Sequence, residues 1–285
     1  MLTNLKKIIK KSVIIITRSL SRTRLGKLIG ESMIEDVMHR VQAVTHNNIK
    51  MKFTTPNQLN HFRFDTFSSK EPETLEWIDF IPDNSILWDI GANIGLYSVY
   101  AARASKCKVF AFEPSVFNLE LLARNIFINN LQEKITIIPL ALTDKMGINK
   151  MRLTTTDWGG ALSTFGKNIG WDGLPQEDNF SFQTFGCSMD QAVSIFKLPR
   201  PDFIKMDVDG IEHFILQGGK NILNKINGIL IEINDDFKEQ AVSSKKFLEE
   251  AGLSFKGKRH SEMIDKSATF RMVYNQIWVR ESYVQ

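Results

Sequence analysis

Cysteine is scarce: Cys107 and Cys187 are the only two in 285 residues, and neither stands in CxxC or Cys/His spacing. That usage excludes a disulfide framework and a zinc site, and it fits a reducing, cytoplasmic location. Long apolar runs are missing too. The run from Val13 to Ile16 is far too short to cross a bilayer, and no small-residue cleavage site follows it as after a secretory signal. There is no internal repeat and no low-complexity tract. Acidic residues are absent from residues 1–27, which hold Lys6, Lys7, Lys10, Lys11, Arg18, Arg22, Arg24 and Lys27. The overall charge of +4 therefore belongs to this end, because the remainder carries 28 basic and 32 acidic residues. A net-negative remainder has no general attraction for phosphate backbones, so no nucleic-acid partner is expected.

In the same basic segment, Leu2, Leu5, Ile9, Val13, Ile16 and Leu20 recur at three- and four-residue steps. This is the spacing of an amphipathic helix. The first expectation is a helix packed on its own domain. The second is peripheral contact with an anionic membrane, at the inner face, through residues 1–27. A composition of 43% hydrophobic and 24% charged residues supports one large core plus an extension. The expected division is a basic helical extension over residues 1–60 and one α/β domain over 61–285.

The domain reads as alternating strands and helices. A helix start is expected in Ser68 to Ile78, from serine caps and Pro72 in the first turn. Strands follow at 86–90, 108–112 and 135–140, with helices from about Tyr97 to Ala104 and from Val116 to Asn129. The pattern resumes with helix 190–196, strand 203–208, helix 211–223, strand 228–233, a helix from about Phe237 to Ala251, and final strands at 253–258 and 276–280. Such alternation implies a mostly parallel sheet flanked by helices. Residues 154–186 break the rhythm with Trp158-Gly159-Gly160, Trp171-Asp172-Gly173 and Phe180-Ser181-Phe182. Two readings stand for this insertion: a loop on the substrate side, or a hairpin whose aromatics fill the core.

The most informative stretch is Ile86 to Ser98, a strand entering the turn Asp89-Ile90-Gly91-Ala92-Asn93-Ile94-Gly95. Glu113 ends the next strand, where a carboxylate can accept hydrogen bonds from both hydroxyls of a ribose. Asp89 stands where a diphosphate would be repelled, and suits instead a ligand with a cationic end. The two glycines alone are weaker evidence, since a tight turn and close helix packing need them as well.

With these motifs, Lys70 to Thr74, Phe112-Glu113-Pro114, Ile204 to Glu212 and Tyr274 to Ile277, the chain resembles S-adenosylmethionine-dependent methyltransferases of the FkbM type. Asn93 replaces a middle glycine and Asp209 a frequent Glu, without removing a needed charge. The resemblance implies a Rossmann-like class I sheet with its last strand antiparallel, and S-adenosylmethionine as cofactor. Asp89, Gly91, Asn93, Gly95 and Glu113 are the expected cofactor residues, with Ala141 and Asp144 toward adenine and Glu71 closing over the methionine end. Glu71 and Glu73 equally suit the first turn of a helix.

Methyl transfer to oxygen needs a group to receive one proton. Asp207 is the first candidate and His213 the second. His213 also reads as a core histidine, and Asp209 with Glu212 as a capping box. The leading reading has no metal, although Asp207 with Glu232, Asn234 or Asp235 offers an oxygen-rich magnesium site. The expected acceptor is a small-molecule or glycan hydroxyl. Nucleic-acid acceptors are disfavoured further, because neither an Asn/Asp-Pro-Pro-aromatic motif nor a Pro-Cys pair occurs. A nicotinamide-dependent oxidoreductase and a non-catalytic scaffold remain as alternatives.

Overall fold

The computed structural model describes residues 2–265 and 269–283, with side chains from Ile9 onward except Lys10. The side chains of Leu2, Leu5, Lys6, Lys7 and Lys10 therefore lie outside the described residues. Two helices open the chain, α1 (Leu2–Leu20) and α2 (Arg24–Met38), the second capped by Thr23 through its side chain. The helical extension ends there. A hairpin of β1 (Val41–His46) and β2 (Ile49–Thr54) follows, within the stretch expected to belong to the extension. It joins the domain because β2 carries buried Met51 and Phe53, and Thr54 donates to the buried Asn125 side chain. Short helices α3 (Gln58–Asp65), α4 (Phe67–Lys70) and α5 (Pro72–Asp79) lead to the main sheet. Pro72 occupies the first turn of α5, whereas the serines fall in the separate turn α4, split off at Glu71.

The sheet then builds through β3 (Ile86–Ile90), α6 (Leu96–Ala104), β4 (Lys108–Phe112), α7 (Val116–Ile128) and β5 (Ile135–Ile138). A second, smaller sheet interrupts it: β6 (Ala141–Leu142), β7 (Gly147–Leu153), β8 (Thr164–Phe165) and β9 (Phe180–Cys187). Strands β7 and β9 pair antiparallel, so the 154–186 insertion is the long tip of a hairpin plus its returning strand. The chain continues through α8 (Met189–Ser194), β10 (Phe203–Met206), α9 (Glu212–Gln217), α10 (Lys220–Leu223), β11 (Gly228–Asn234) and α11 (Lys238–Glu250). It closes with β12 (Leu253–Arg259), α12 (Glu262–Asp265), β13 (Val273–Arg280) and a single 3-10 turn. The helix expected over 211–223 is two, broken at Gly218-Gly219, where a Cβ on Gly219 would lie 2.0 Å from Met189.

The seven-stranded sheet runs β12-β13-β11-β10-β3-β4-β5. All pairings from β11 to β5 are parallel, and β13 lies antiparallel between β11 and β12. Strand order reverses between β3 and β10, which opens a crevice at their carboxyl ends. One apolar layer holds Trp88, Phe112, Ile204, Ile229 and Ile231; the opposite layer holds Leu87, Val99, Val109, Ala111 and Leu230. Successive strand residues point to opposite faces, so each central strand feeds both layers.

Candidate active site

The crevice beyond β3 and β10 contains two adjoining cavities of about 70 and about 330 Å³. Gly91, Asn93, Ala161, Asp207 and Asp209 line both. The smaller is walled by Phe112, Glu113, Pro114, Asn118, Leu140, Ala141 and Leu142. The larger is walled by Arg63, Lys70, Glu71, Tyr97, Lys205, Glu232, Trp171, Phe270 and Asn275.

Backbone geometry at the turn is set by neighbours. Gly91 has φ of +82°, and a Cβ there would stand 1.8 Å from the Asp207 carbonyl oxygen, so β3 and β10 converge only because this residue is glycine. Gly95, at φ +83°, lies outside both cavities, and its Cβ would strike Leu122 on α7. Asn93 adopts φ of 50°; its N–H donates to Glu113 Oε2 at 2.9 Å and its side chain to the Gly160 carbonyl at 2.8 Å. Glu113 Oε1 accepts from Ser115 N–H at 2.8 Å. Burial pushes the Glu113 carboxyl up to about 7, against the pull of those backbone donors.

Asp89 is buried at 1% exposure and lines neither cavity. Ser98 Oγ donates to its Oδ2 at 2.5 Å, and Lys205 Nζ stands 3.7 Å from its Oδ1. The same Nζ is 3.3 Å from Asp207 Oδ2 and 5.3 Å from the centre of the Tyr97 ring. Burial opposes the charge on Lys205, but the Asp207, Asp89 and Glu71 carboxylates outweigh it and keep the ammonium protonated. An isolated ammonium in such a place costs several kcal/mol, which the buried Asp89 and the part-exposed Asp207 offset together. The cationic neighbour of Asp89 is thus supplied by the chain itself, a pairing hidden from sequence by the 115 residues between them.

Glu71 lines the larger cavity beside Lys70, whose Nζ lies 2.6 Å away. Burial raises its carboxyl, and Lys70 and Lys205 together bring it well below the usual range. Glu73 turns instead to Asn275, which donates to it at 2.8 Å. Ala141 lines the smaller cavity with Leu140 and Leu142; Asp144 lies outside both and accepts from the Thr143 hydroxyl. His213 also lies outside both. Its ring is 3% exposed and packs on Phe214 and Phe237, and neither ring nitrogen finds a hydrogen-bond partner. Burial lowers its pKa, which leaves a neutral core residue between α9 and α11 and no proton relay. Asp209 and Glu212 do not form the expected capping box. Glu212 folds back onto the N–H groups of Val208 and Gly210, whereas Asp209 accepts from Leu162 N–H at 2.7 Å and Ser163 N–H at 3.3 Å. Asp209, rather than Asn234 or Asp235, completes the carboxylate group with Asp207 and Glu232, all within 4.8 Å of one another. Asn234 is engaged with Trp171, and Asp235 with Lys258.

Strand alternation already sets Lys205 on the face of Asp207 as its pairing partner, and the two lie 3.3 Å apart, whereas Arg63, Asn118 and the role of the tip at Trp158-Gly159-Gly160 carry no signal in the sequence. Asn118 donates to the Gly160 carbonyl and accepts from Gly159 N–H, while Arg63 donates to the Gly159 carbonyl. The hairpin tip is thereby laid across the boundary of the two cavities. The pattern Trp-Gly-Gly marks the tip, but its anchors lie about 40 to 100 residues away in sequence.

A parallel sheet with one antiparallel strand set into its edge, a glycine turn after the central strand, and a buried carboxylate ending the next define a Rossmann-like methyltransferase fold. The profile of the methyltransferase FkbM domain matches residues 89–272, and the chain belongs to that family. It is 30% identical over 172 residues to hexuronic acid methyltransferase AglP of Haloferax volcanii, covering 60% of this chain and 64% of that protein. It is 34% identical over 68 residues to methyltransferase sdnD of Sordaria araneosa, covering 24% of this chain and 26% of that one. Among solved structures, methyltransferase FkbM from Methylobacillus flagellatus KT superposes with a TM-score of 0.50 at 15% identity, over 78% of this chain and 52% of that one.

Proposed function

We propose that the chain is an S-adenosylmethionine-dependent O-methyltransferase acting on a hydroxyl of a glycan-type or other polyhydroxylated small molecule. The observation that carries the reading is the position of Asp207, which lines both cavities, so a methyl group presented near their boundary would lie beside its carboxylate. The donor chemistry fits the cofactor. Glu113 lies beside the apolar strip of Pro114, Ala141 and Leu142, which suits a ribose and its adenine. Five carboxyl groups and three permanent cations line the larger cavity; burial and the neighbouring Asp207 and Glu71 carboxylates push the Glu232 carboxyl well up, and a positively charged sulfonium and ammonium would relieve that crowding. When bound, S-adenosylmethionine supplies a methyl group on a cationic sulfur, open to in-line displacement by oxygen.

The chain's own residues then have separate duties. Lys205 fixes one oxygen of Asp207, and among the described residues the other oxygen accepts no hydrogen bond. That second oxygen would take the hydroxyl proton as the oxygen–methyl bond forms and the methyl–sulfur bond breaks, so the products would be a methyl ether, the neutral thioether S-adenosylhomocysteine and a protonated Asp207. Trp171, Phe270 and Tyr97 line the larger cavity with rings, and Arg63 and Asn275 add polar groups, a mixture suited to a sugar. The likeness to a hexuronic acid methyltransferase supports acidic sugars as the first acceptors to try.

The test is Asp207→Asn assayed with labelled cofactor on hexuronate-containing oligosaccharides. Cofactor affinity should stay within about threefold while turnover falls about 10²- to 10⁴-fold. Full activity in the variant would remove Asp207 as the base.

A further inference from the structure

We infer that α1 and α2 form a docking surface for an anionic lipid bilayer, lying on the membrane rather than crossing it. The expectation that α1 packs its apolar face on its own domain is not met. Ile9, Val13, Ile16 and Leu20 are 52–57% exposed, although their spacing places them along one stripe of the helix. On α2, Leu25 and Leu28 are 66% and 63% exposed, and this helix has no buried residue. Water-facing apolar stripes on two consecutive helices call for a covering partner.

Charge selects the partner. Residues 1–27 carry eight basic residues and no acid, while the rest of the chain is net negative. A second copy of this chain would bring the same positive charge to the same stripe and be repelled. An anionic surface satisfies both features at once: the apolar stripe enters the acyl boundary, and Lys11 and Arg18, on the opposite side of α1, stay among the headgroups. Among the described residues no helix is long and apolar enough to cross a membrane, so the contact is interfacial. The catalytic crevice belongs to a different part of the molecule, and docking needs no residue of it.

The experiment is co-sedimentation of the full chain with phosphatidylcholine vesicles, with or without about 30 mol% phosphatidylglycerol. Binding should require the anionic lipid and weaken at least about tenfold between roughly 0.1 and 0.5 M salt. Val13→Asp with Ile16→Asp should abolish it, and Lys11→Glu with Arg18→Glu should weaken it at least about tenfold. Phe127→Asp, at an apolar side chain 75% exposed on the catalytic domain, should bind like the wild type. Thermal melting of each variant separates loss of docking from loss of folding. Absence of binding at low salt, equal binding to neutral vesicles, equal loss with Phe127→Asp, or a stable dimer in solution that Ile16→Asp dissociates would each overturn the inference.

Discussion

At the scale of single residues, the site turns on how buried carboxylates are held. Glu113 illustrates the linkage between burial and charge. Its carboxyl is raised from an ordinary 4.5 to about 7, so the folded chain holds the proton more tightly than the unfolded one. The contribution of this group to stability is therefore greatest below about pH 4.5 and declines as the pH rises through about 7. Ligand binding has the opposite sign. If the ionised carboxylate accepts from both ribose hydroxyls, S-adenosylmethionine should bind up to about tenfold more tightly at pH 8 than at pH 6, by calorimetry. An affinity independent of pH across that range would show that Glu113 does not titrate there or does not touch the ribose. Asp89, Glu113 and Asp207 were all legible as strand-end acids because strand spacing alone places them. His213 was not legible, since a helix pattern leaves open which flank meets the crevice.

At the scale of elements, the decisive piece is the β7–β9 hairpin and its tip. Asn118 on α7 ties the tip through two hydrogen bonds and is itself only 4% exposed. Asn118→Ala should cost about 1–3 kcal/mol in urea unfolding, because the buried Gly159 N–H loses its partner while the Gly160 carbonyl keeps Asn93. The same variant should be cleaved faster by a protease within residues 154–179, while cleavage elsewhere stays unchanged. An unaltered digestion pattern would mean that Arg63 at the Gly159 carbonyl and Asn93 at the Gly160 carbonyl hold the tip without help. The sequence distinguished this block by its aromatic and glycine content, and its aromatics divide between core and cavity. Phe165 belongs to the core, while Trp171 lines the larger cavity. The helix over 211–223 is broken by Gly218-Gly219, packed against Thr143 and Met189, whereas the serine-capped start was misplaced on local grounds. Local capping preferences are worth about 1 kcal/mol, and packing against neighbours readily overrides them.

At the scale of the whole molecule, the central strands and the first two helices sit at opposite extremes of burial. Every residue of β10 is buried, whereas α2 buries none. Native-state hydrogen exchange should therefore be slowest in β3, β10 and β11 and faster in α2 by several orders of magnitude. Protection of α2 equal to that of β10 in lipid-free solution would show that it packs on something. Composition and local spacing determined the βα alternation, the glycine turn, the strand-end acids and the basic amphipathic segment, because each depends on neighbours within a few residues. Only the tertiary structure decided that Lys205 meets Asp89, that Asp209 holds the hairpin tip, that His213 faces away from the crevice, and that Asp207 adjoins both cavities. Those outcomes depend on strand order and on contacts between residues far apart in the chain, for which a one-dimensional pattern carries no distance.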